Sequence, residues 1–405
     1  MRTACTAGAI LFLLALSPPA LADEPRAGDE EEIRKALEAD RAALPPGPPA
    51  PVPAAAAPGA QGGTGSQNPD IAVILDVAGA WWSGKEPRPA GGHDPSRVGF
   101  NLQALEMAIS ANVDPYFRFV GALVFSQFGV EVEDAYGQTL ALPWGLQVRA
   151  GQILTRFGRI NPTHPHAWSF ADQPLVVGKF LGSEGSRGLG AELSWLLPLP
   201  WYVELIGSAT DAAGECCARS FLGGDDIEVD SPKDFLYTAA LKQFFPFGPA
   251  WSLLWGLSGQ FGPNATGNGN RTEIYGTDLF LKWRPVGSPE HVSVSLQAEG
   301  MMRVRQVPDD RLIDWGAYGQ LVWHFLKRWE TGARVDWVSG LAADPLDPRW
   351  TGDRWRASAQ MTFFPSHFSR IRLQGEMDQA AWSGRTWGAV LALELSAGAH
   401  GAHEY

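Results

Sequence analysis

Apolar and polar residues alternate along most of the chain, from Asp70 almost to its end. The segment from Val292 to Val304 shows this best, with one face of Val, Leu, Ala, Gly and Met and one richer in Ser, Gln, Glu and Arg. Successive side chains of a β-strand point to opposite faces of the sheet. The pattern therefore predicts strands with one apolar and one polar face, as in a wall between lipid and water.

The lengths of the connections separate a membrane barrel from a soluble sandwich. Short turns are expected to alternate with long connections at about 83–97, 156–187, 210–234, 262–273, 306–312, 338–352 and 379–384. Long loops at one end and tight turns at the other are typical of outer-membrane barrels. With one further short connection near Gly129, the pattern predicts an all-β, up-and-down antiparallel transmembrane barrel of about 16 strands.

The strand boundaries between residues 98 and 140 are less regular. The apolar positions Phe100, Leu102 and Ala104 change phase and continue as Leu105 and Met107. An extra residue in one strand shifts the alternation by one position. The sequence therefore predicts either a β-bulge or a displaced strand boundary here.

Aromatic residues and glycine are abundant. The chain has 17 Trp, 20 Phe and 46 Gly, and 19% of its residues are charged. Aromatic girdles flank the lipid-facing band of outer-membrane barrels, and many of the tryptophans lie beside the expected turns. A soluble core would also explain the number of aromatic residues, but it explains their position less well.

The first 69 residues differ from the rest. Residues 1–22 have the features of a secretory signal peptide: Arg2, an apolar stretch, and Ala20-Leu21-Ala22 before the expected cleavage. Residues 23–69 are expected to be a periplasmic extension, with an acidic helix followed by a linker rich in Pro, Ala and Gly. The barrel is expected to occupy residues 70–405, since no later run reaches the roughly 20 apolar residues of a membrane-spanning helix.

Charge and motifs narrow the classes of function. The formal net charge is −12, so nucleic acid is not an expected partner. No nucleophile elbow, phosphate-binding glycine loop or metalloprotease helix motif occurs in the sequence, and neither enzymatic activity nor a cofactor is predicted. The adjacent Cys216 and Cys217 suggest a vicinal disulfide, bridges to another chain, soft-metal capture, or a loop disulfide without chemistry.

One stretch resembles a known family. Glu133-Asp-Ala-Tyr136, followed by the run GLQVRAGQILTRFGRIN from Gly145 to Asn161, resembles a strand and the start of the following loop in phosphate-selective-porin-like barrels. The resemblance implies a trimeric diffusion channel, often with a coiled N-terminal segment. Five of the 32 basic and eight of the 44 acidic residues precede Asp70, so the barrel region carries a net charge of −9 and departs from an anion-selective pattern.

The third outer connection, 156–187, is the predicted pore constriction, because charges of both signs across a narrow passage can orient and sort solutes. Its candidate residues are Arg156, Arg159, His164, His166, Asp172, Lys179, Glu184 and Arg187. The alternative is a surface loop with solvated charges. His164 and His166 form a possible metal pair if a third ligand such as Asp172 folds in; the alternative is packing or hydrogen bonding within the loop.

Inward-facing positions of the predicted strands carry many charges, which a water-filled lumen tolerates and a lipid face does not. The lumen candidates are Arg149, Lys282, Arg284, Arg303, Arg334, Arg354, Arg356, Arg370, Arg372, Glu299 and Glu376. They would form either a selective ladder or balanced pairs along the wall.

The sequence as a whole predicts a porin-like channel of the bacterial outer membrane. Its expected partners are outer-membrane lipid, small solutes or ions, and two further copies of itself in a homotrimer. The alternative is a barrel-anchored surface receptor that binds a metal ion or ligand with its long outer loops.

Overall fold

The computed structural model describes residues 68–84, 87–126, 129–214, 216–223, 229, 231–267, 269–287, 292–342 and 344–399. The predicted signal peptide and acidic helix lie outside these ranges. Within them, 16 antiparallel strands pair in chain order, and β1 pairs with β16 to close the sheet into a barrel. The predicted fold is confirmed. No helix in this part of the chain is long and apolar enough to cross a bilayer.

The strands have the following bounds: β1 Asp70–Trp82, β2 Gly99–Asn112, β3 Phe117–Ser126, β4 Gly129–Thr139, β5 Leu146–Leu154, β6 Arg187–Leu196, β7 Tyr202–Thr210, β8 Leu236–Phe247, β9 Trp251–Pro263, β10 Arg271–Trp283, β11 Ser293–Val307, β12 Asp310–Leu326, β13 Trp329–Val338, β14 Arg354–Ser366, β15 Ser369–Ala380 and β16 Gly384–Gly398. One short α-helix, α1, spans Leu175–Phe180.

The alternation along each strand corresponds to the two faces of the barrel wall. Outward-facing Leu296, Leu373 and Leu391 are exposed, whereas inward-facing Glu299 and Arg303 are buried. This is the reverse of a soluble protein, in which leucine would be covered and the charged residues would be exposed. The exterior of the barrel is therefore apolar and its interior polar, as a bilayer requires.

The outer connections differ from the expected lengths at three places. Four are long, at residues 83–98, 155–186, 211–235 and 339–353, and a fifth, at 264–270, has seven residues where 262–273 was expected. The predicted long connection at 306–312 is wrong: β11 and β12 continue to a two-residue hairpin in which Asp309 adopts a left-handed φ of 64°. Only three residues separate β15 from β16, so the connection at 379–384 is also short.

Two β-bulges interrupt the sheet near its first outer loop. The register between β1 and β2 shifts at Gln103, as the phase change in the sequence predicted. A second shift, between β3 and β4, leaves Glu133 as the extra residue. A bulge can aim neighbouring side chains to the same face of a sheet. Both Glu133 and Asp134 accordingly face the interior and are buried.

Candidate functional site

Residues 155–186, here called the lumen segment, leave the wall after β5 and fold into the barrel before returning at β6. Backbone N–H groups of the segment donate hydrogen bonds to side chains of well-separated strands. Ile160 donates to Glu299 of β11 at 2.8 Å, and Leu175 donates to Asp336 of β13 at 3.0 Å. The segment therefore crosses the lumen and is attached to the opposite wall.

Apolar packing holds the middle of the lumen segment. All six residues of α1 are buried, and its four apolar side chains pack in one cluster with Phe157, Phe221 and Ile274 from the segment itself, the next outer loop and the wall. Helix α1 also approaches the first outer loop closely, because a Cβ at Gly178 would lie 2.2 Å from the carbonyl oxygen of Ala90. Glycine at this position allows the helix and that loop to pack together.

Asp172 is the most highly connected charged group of the lumen segment. Its carboxylate accepts hydrogen bonds from Arg334, Arg356 and Gln374, on three consecutive strands. Its backbone carbonyl oxygen accepts another from Arg334 at 2.9 Å. Asp172 thus pairs with two guanidinium groups and does not meet the condition, stated above, of folding in as a third ligand beside His164 and His166.

Lys179 anchors the other end of α1. Its Nζ lies 2.8 Å from the Asp314 carboxylate of β12 and also donates to the carbonyl oxygen of Ser339. Arg303 of β11 pairs with the same Asp314 and with Asp347 of the outer loop 339–353. A buried network of alternating charges thus joins the lumen segment, the wall and this outer loop.

The start of the lumen segment pairs with the wall as well. Arg156 contacts Glu192 at 2.8 Å and Glu204 at 2.7 Å, and Glu192 also pairs with the predicted lumen residue Arg149. Arg159 stacks over Phe280, with its guanidinium carbon 3.8 Å from the ring centroid.

At the far end of the segment, Arg187 pairs with Glu131 and donates to the sulfur of Cys217 at 3.2 Å. Cys217 is bonded to Cys216, so the two adjacent cysteines form a vicinal disulfide. This disulfide loop also packs on the lumen segment, since Glu184 N–H donates to the Cys216 carbonyl oxygen at 2.9 Å.

Most of the other predicted lumen residues are paired along the wall or with the lumen segment. Arg354 and Arg356 both contact Asp378, Arg370 contacts Glu394, and Arg372 donates to the carbonyl oxygen of Trp168. Arg334 pairs with Asp336. Glu299 accepts hydrogen bonds from the backbone N–H groups of Arg159 and Ile160, and Glu376 accepts one from the indole N–H of Trp82. Lys282 lies near the end of β10, and Arg284 follows the end of that strand. This geometry favours balanced pairs over a ladder of free charges.

His164 and His166 belong to a partly buried group of seven ionisable residues, here called the histidine–carboxylate cluster. Its members are His93, Glu106, Glu133, Asp134, His164, His166 and Glu184. His164 Nδ1 lies 2.8 Å from Glu133 Oε2, and His166 Nδ1 lies 2.9 Å from Glu106 Oε2. The two predicted histidines therefore converge on wall carboxylates and not on Asp172.

His93, from the first outer loop, completes the cluster. Its Nε2 lies 2.9 Å from both Glu133 Oε1 and Glu184 Oε2. Burial alone would lower the pKa of His93, but hydrogen bonds with these two carboxylates outweigh it and raise the pKa well above its usual value. Sequence reasoning missed His93 as a site residue. The bulge predicted in β2 was the only sign in the sequence that the wall is irregular beside this loop. The second bulge, at Glu133, could not be read from the alternation of apolar and polar residues.

Comparison with solved structures identifies the architecture. OprB of Pseudomonas putida covers 82% of this chain and 94% of its own length, with a TM-score of 0.56 and 10% identity. The anion-selective porin from Comamonas acidovorans covers 82% and 99%, with a TM-score of 0.54 and 9% identity. The outer-membrane channel DcaP of Acinetobacter baumannii covers 82% and 97%, with a TM-score of 0.54 and 11% identity. The chain therefore has the fold of the bacterial outer-membrane porins.

Sequence comparison gives the family. An uncharacterized protein of Aquifex aeolicus is 33% identical over 344 residues, which cover 76% of this chain and 72% of that protein. The chain belongs to the same family as this Aquifex protein. No model of a described protein family matches the sequence. The narrower resemblance to phosphate-selective porins stays a prediction.

Proposed function

We propose that this protein is an outer-membrane channel through which small hydrophilic solutes or ions diffuse, and that the lumen segment sets the width of the passage. The observation that carries the proposal is a polar, closed barrel interior crossed by a segment fixed to the opposite wall. Fixed charges of both signs in such a passage act on every solute that enters it.

The wall charges bear on selectivity. Arg156 with Glu192 and Arg354 with Asp378 each place opposite charges side by side, so their fields largely cancel at a distance. Weak selectivity between cations and anions fits this arrangement better than strong preference for phosphate. A homotrimeric assembly, as the resemblance implies, is part of the proposal.

Deletion of the lumen segment tests the proposal. Thr155 N–H donates to the carbonyl oxygen of Ser186 at 2.9 Å, so the two ends of the segment are adjacent and a short Gly-Ser linker can replace residues 157–184. The single-channel conductance of this variant in planar bilayers is expected to rise severalfold. The same linker inserted between Pro308 and Asp309, in the hairpin of β11 and β12, is the matched control.

A second function stays open, because loops 155–186 and 211–235 together build an apolar cluster inside the barrel. A barrel filled in this way would also suit a surface protein that binds ligands with its outer loops. Under that function the unmodified protein would carry no stepwise current, and only the deletion variant would conduct. If the unmodified protein carries a stepwise current and the deletion and insertion variants have equal conductance, the lumen segment does not set the width of the passage.

A further inference from the structure

The histidine–carboxylate cluster has the chemistry of a metal site. We propose that His93, Glu133 and Glu184 bind one divalent transition-metal ion of the Zn²⁺ class, at the junction of the first outer loop, β4 and the lumen segment. Their candidate ligand atoms all lie within 4.8 Å of one another. Imidazole and carboxylate are ligands that Zn²⁺ accepts together.

The wall directs its carboxylates toward this point. In a regular strand, Glu133 and Asp134 would face opposite sides of the sheet. The bulge at Glu133 turns both to the interior, where Glu133 meets His93 and Glu184, and Asp134 meets His164. Bulges of this kind are common beside functional sites, where they change the direction of a side chain.

The imidazole of His93 is held in the orientation of a ligand. Its Nδ1 lies 3.2 Å from the carbonyl oxygen of Gln103, to which it can donate, while Gln103 Nε2 donates to the His93 carbonyl oxygen at 2.9 Å. With a proton on Nδ1, Nε2 can exchange its own proton for a metal ion placed between the two carboxylates. Histidines that bind metal ions commonly have this hydrogen bond from the second ring nitrogen to a carbonyl oxygen.

The available space suits a single ion. A cavity of about 20 Å³ is lined by His93, Glu133, Glu184 and neighbouring residues, enough for one water molecule or ion. Ligands about 2.0–2.2 Å from Zn²⁺ lie roughly 3.4 Å apart in a tetrahedral site. The two 2.9 Å contacts of His93 Nε2 need to lengthen by only about half an ångström to admit the ion.

Charge favours the same conclusion. Among the described residues, the ion-pair partners of Glu106, Glu133, Asp134 and Glu184 are all imidazoles. Three buried carboxylates and the partly buried Glu184 therefore face three histidines, with no arginine or lysine paired to them in this part of the chain. Buried charges require compensation, and a divalent cation supplies it.

Zn²⁺ titration of the full-length protein, folded in detergent and stripped with a chelator, tests the proposal. The last residues of the sequence include two further histidines, His400 and His403, which offer imidazole ligands to Zn²⁺. The measurements therefore use a background with both changed to alanine. Equilibrium dialysis should then give one tightly bound Zn²⁺ per chain that excess Mg²⁺ does not displace. His93→Ala should weaken the affinity by about 100-fold or more, and Glu184→Gln by at least about 10-fold.

His324→Ala is the matched control, because His324 lies on β12 and stacks on Phe364; it should leave the affinity unchanged. Heat-modifiable gel migration and circular dichroism establish that each variant is folded. If His93→Ala fails to fold, the Zn²⁺ affinity of Glu184→Gln and the visible spectrum of Co²⁺ bound to the protein test the proposal in its place. Absence of tight Zn²⁺ binding, or equal affinity in the cluster variants and His324→Ala, would overturn the proposal. The binding measurement does not depend on whether the barrel conducts.

Discussion

Replacing Asp172 by alanine should release the lumen segment from the wall without opening the barrel. The β-ladder does not involve this side chain, whereas Arg334, Arg356 and Gln374 all donate to its carboxylate. Removing one partner of a buried ion pair costs about 3–5 kcal/mol, since the remaining charge is left without compensation. The loss should therefore appear as easier local opening of the segment and not as unfolding of the sheet.

The free-energy loss caused by Asp172→Ala is expected at the lower end of the range of about 3–5 kcal/mol. Arg334 keeps Asp336 at 2.8 Å and Arg356 keeps Asp378 at 3.0 Å, so neither guanidinium becomes isolated. A loss of about 3 kcal/mol raises the equilibrium constant for local opening by about 100-fold. Amide exchange of residues 171–177 should accelerate by a similar factor, because exchange of protected amides follows the opening equilibrium.

Hydrogen–deuterium exchange with mass spectrometry measures this factor. Glu330→Ala is the matched control, since it removes an inward carboxylate that contacts Gln360 of the neighbouring strand. Its lumen-segment peptides should exchange at the rate of the unmodified protein. If Asp172→Ala accelerates those peptides less than about threefold, the Asp172 contacts do not hold the segment and the reasoning from ion-pair burial is refuted.

Three further outcomes are expected. Gly178→Ala should disturb the contact of α1 with the first outer loop, because the added Cβ would lie 2.2 Å from the Ala90 carbonyl oxygen; faster exchange of α1 amides checks this. Leu391→Arg, in the middle of β16, should lower the free energy of unfolding by about 2–4 kcal/mol in lipid, and a urea titration measures it. Burial alone would raise the pKa of Asp347, but Arg303 and Arg219 hold that pKa well below its usual value of 3.8. The anchoring of loop 339–353 should therefore persist above that pH and weaken only as the pH falls below it, which Trp350 fluorescence can report.

The barrel was predictable because its signals are local. Alternation along Val292–Val304, turn lengths and the phase change after Ala104 depend on neighbouring residues, and the structure confirms the strands and the bulge. The lumen segment could be located from its position as the third outer connection. The wall residues that the segment contacts could not be predicted, because the contact between Asp172 and Arg334 joins residues 162 positions apart.

The histidine–carboxylate cluster shows the same limit. His93 and Glu184 are separated by 91 positions in the sequence, and only folding of the lumen segment brings them together. Glu133 was part of the motif that resembles porins, yet its inward direction depends on a bulge that the alternation of β4 does not reveal. His164 and His166 were recognisable by their spacing, but their shared ion-pair partner Glu106 lies on a strand that spacing cannot identify.

The lumen segment leaves and rejoins the wall at a single rung of the ladder, where Leu154 faces Arg187. Sheet continuity thus places no requirement on how many residues lie between these two positions. Loop-closure entropy rises only slowly with length, so a change in the number of residues of this insertion costs little in loop closure, and its buried contacts with the wall carry the larger cost. The residues that fill the interior of the barrel can therefore change in number and kind while the strands keep their register.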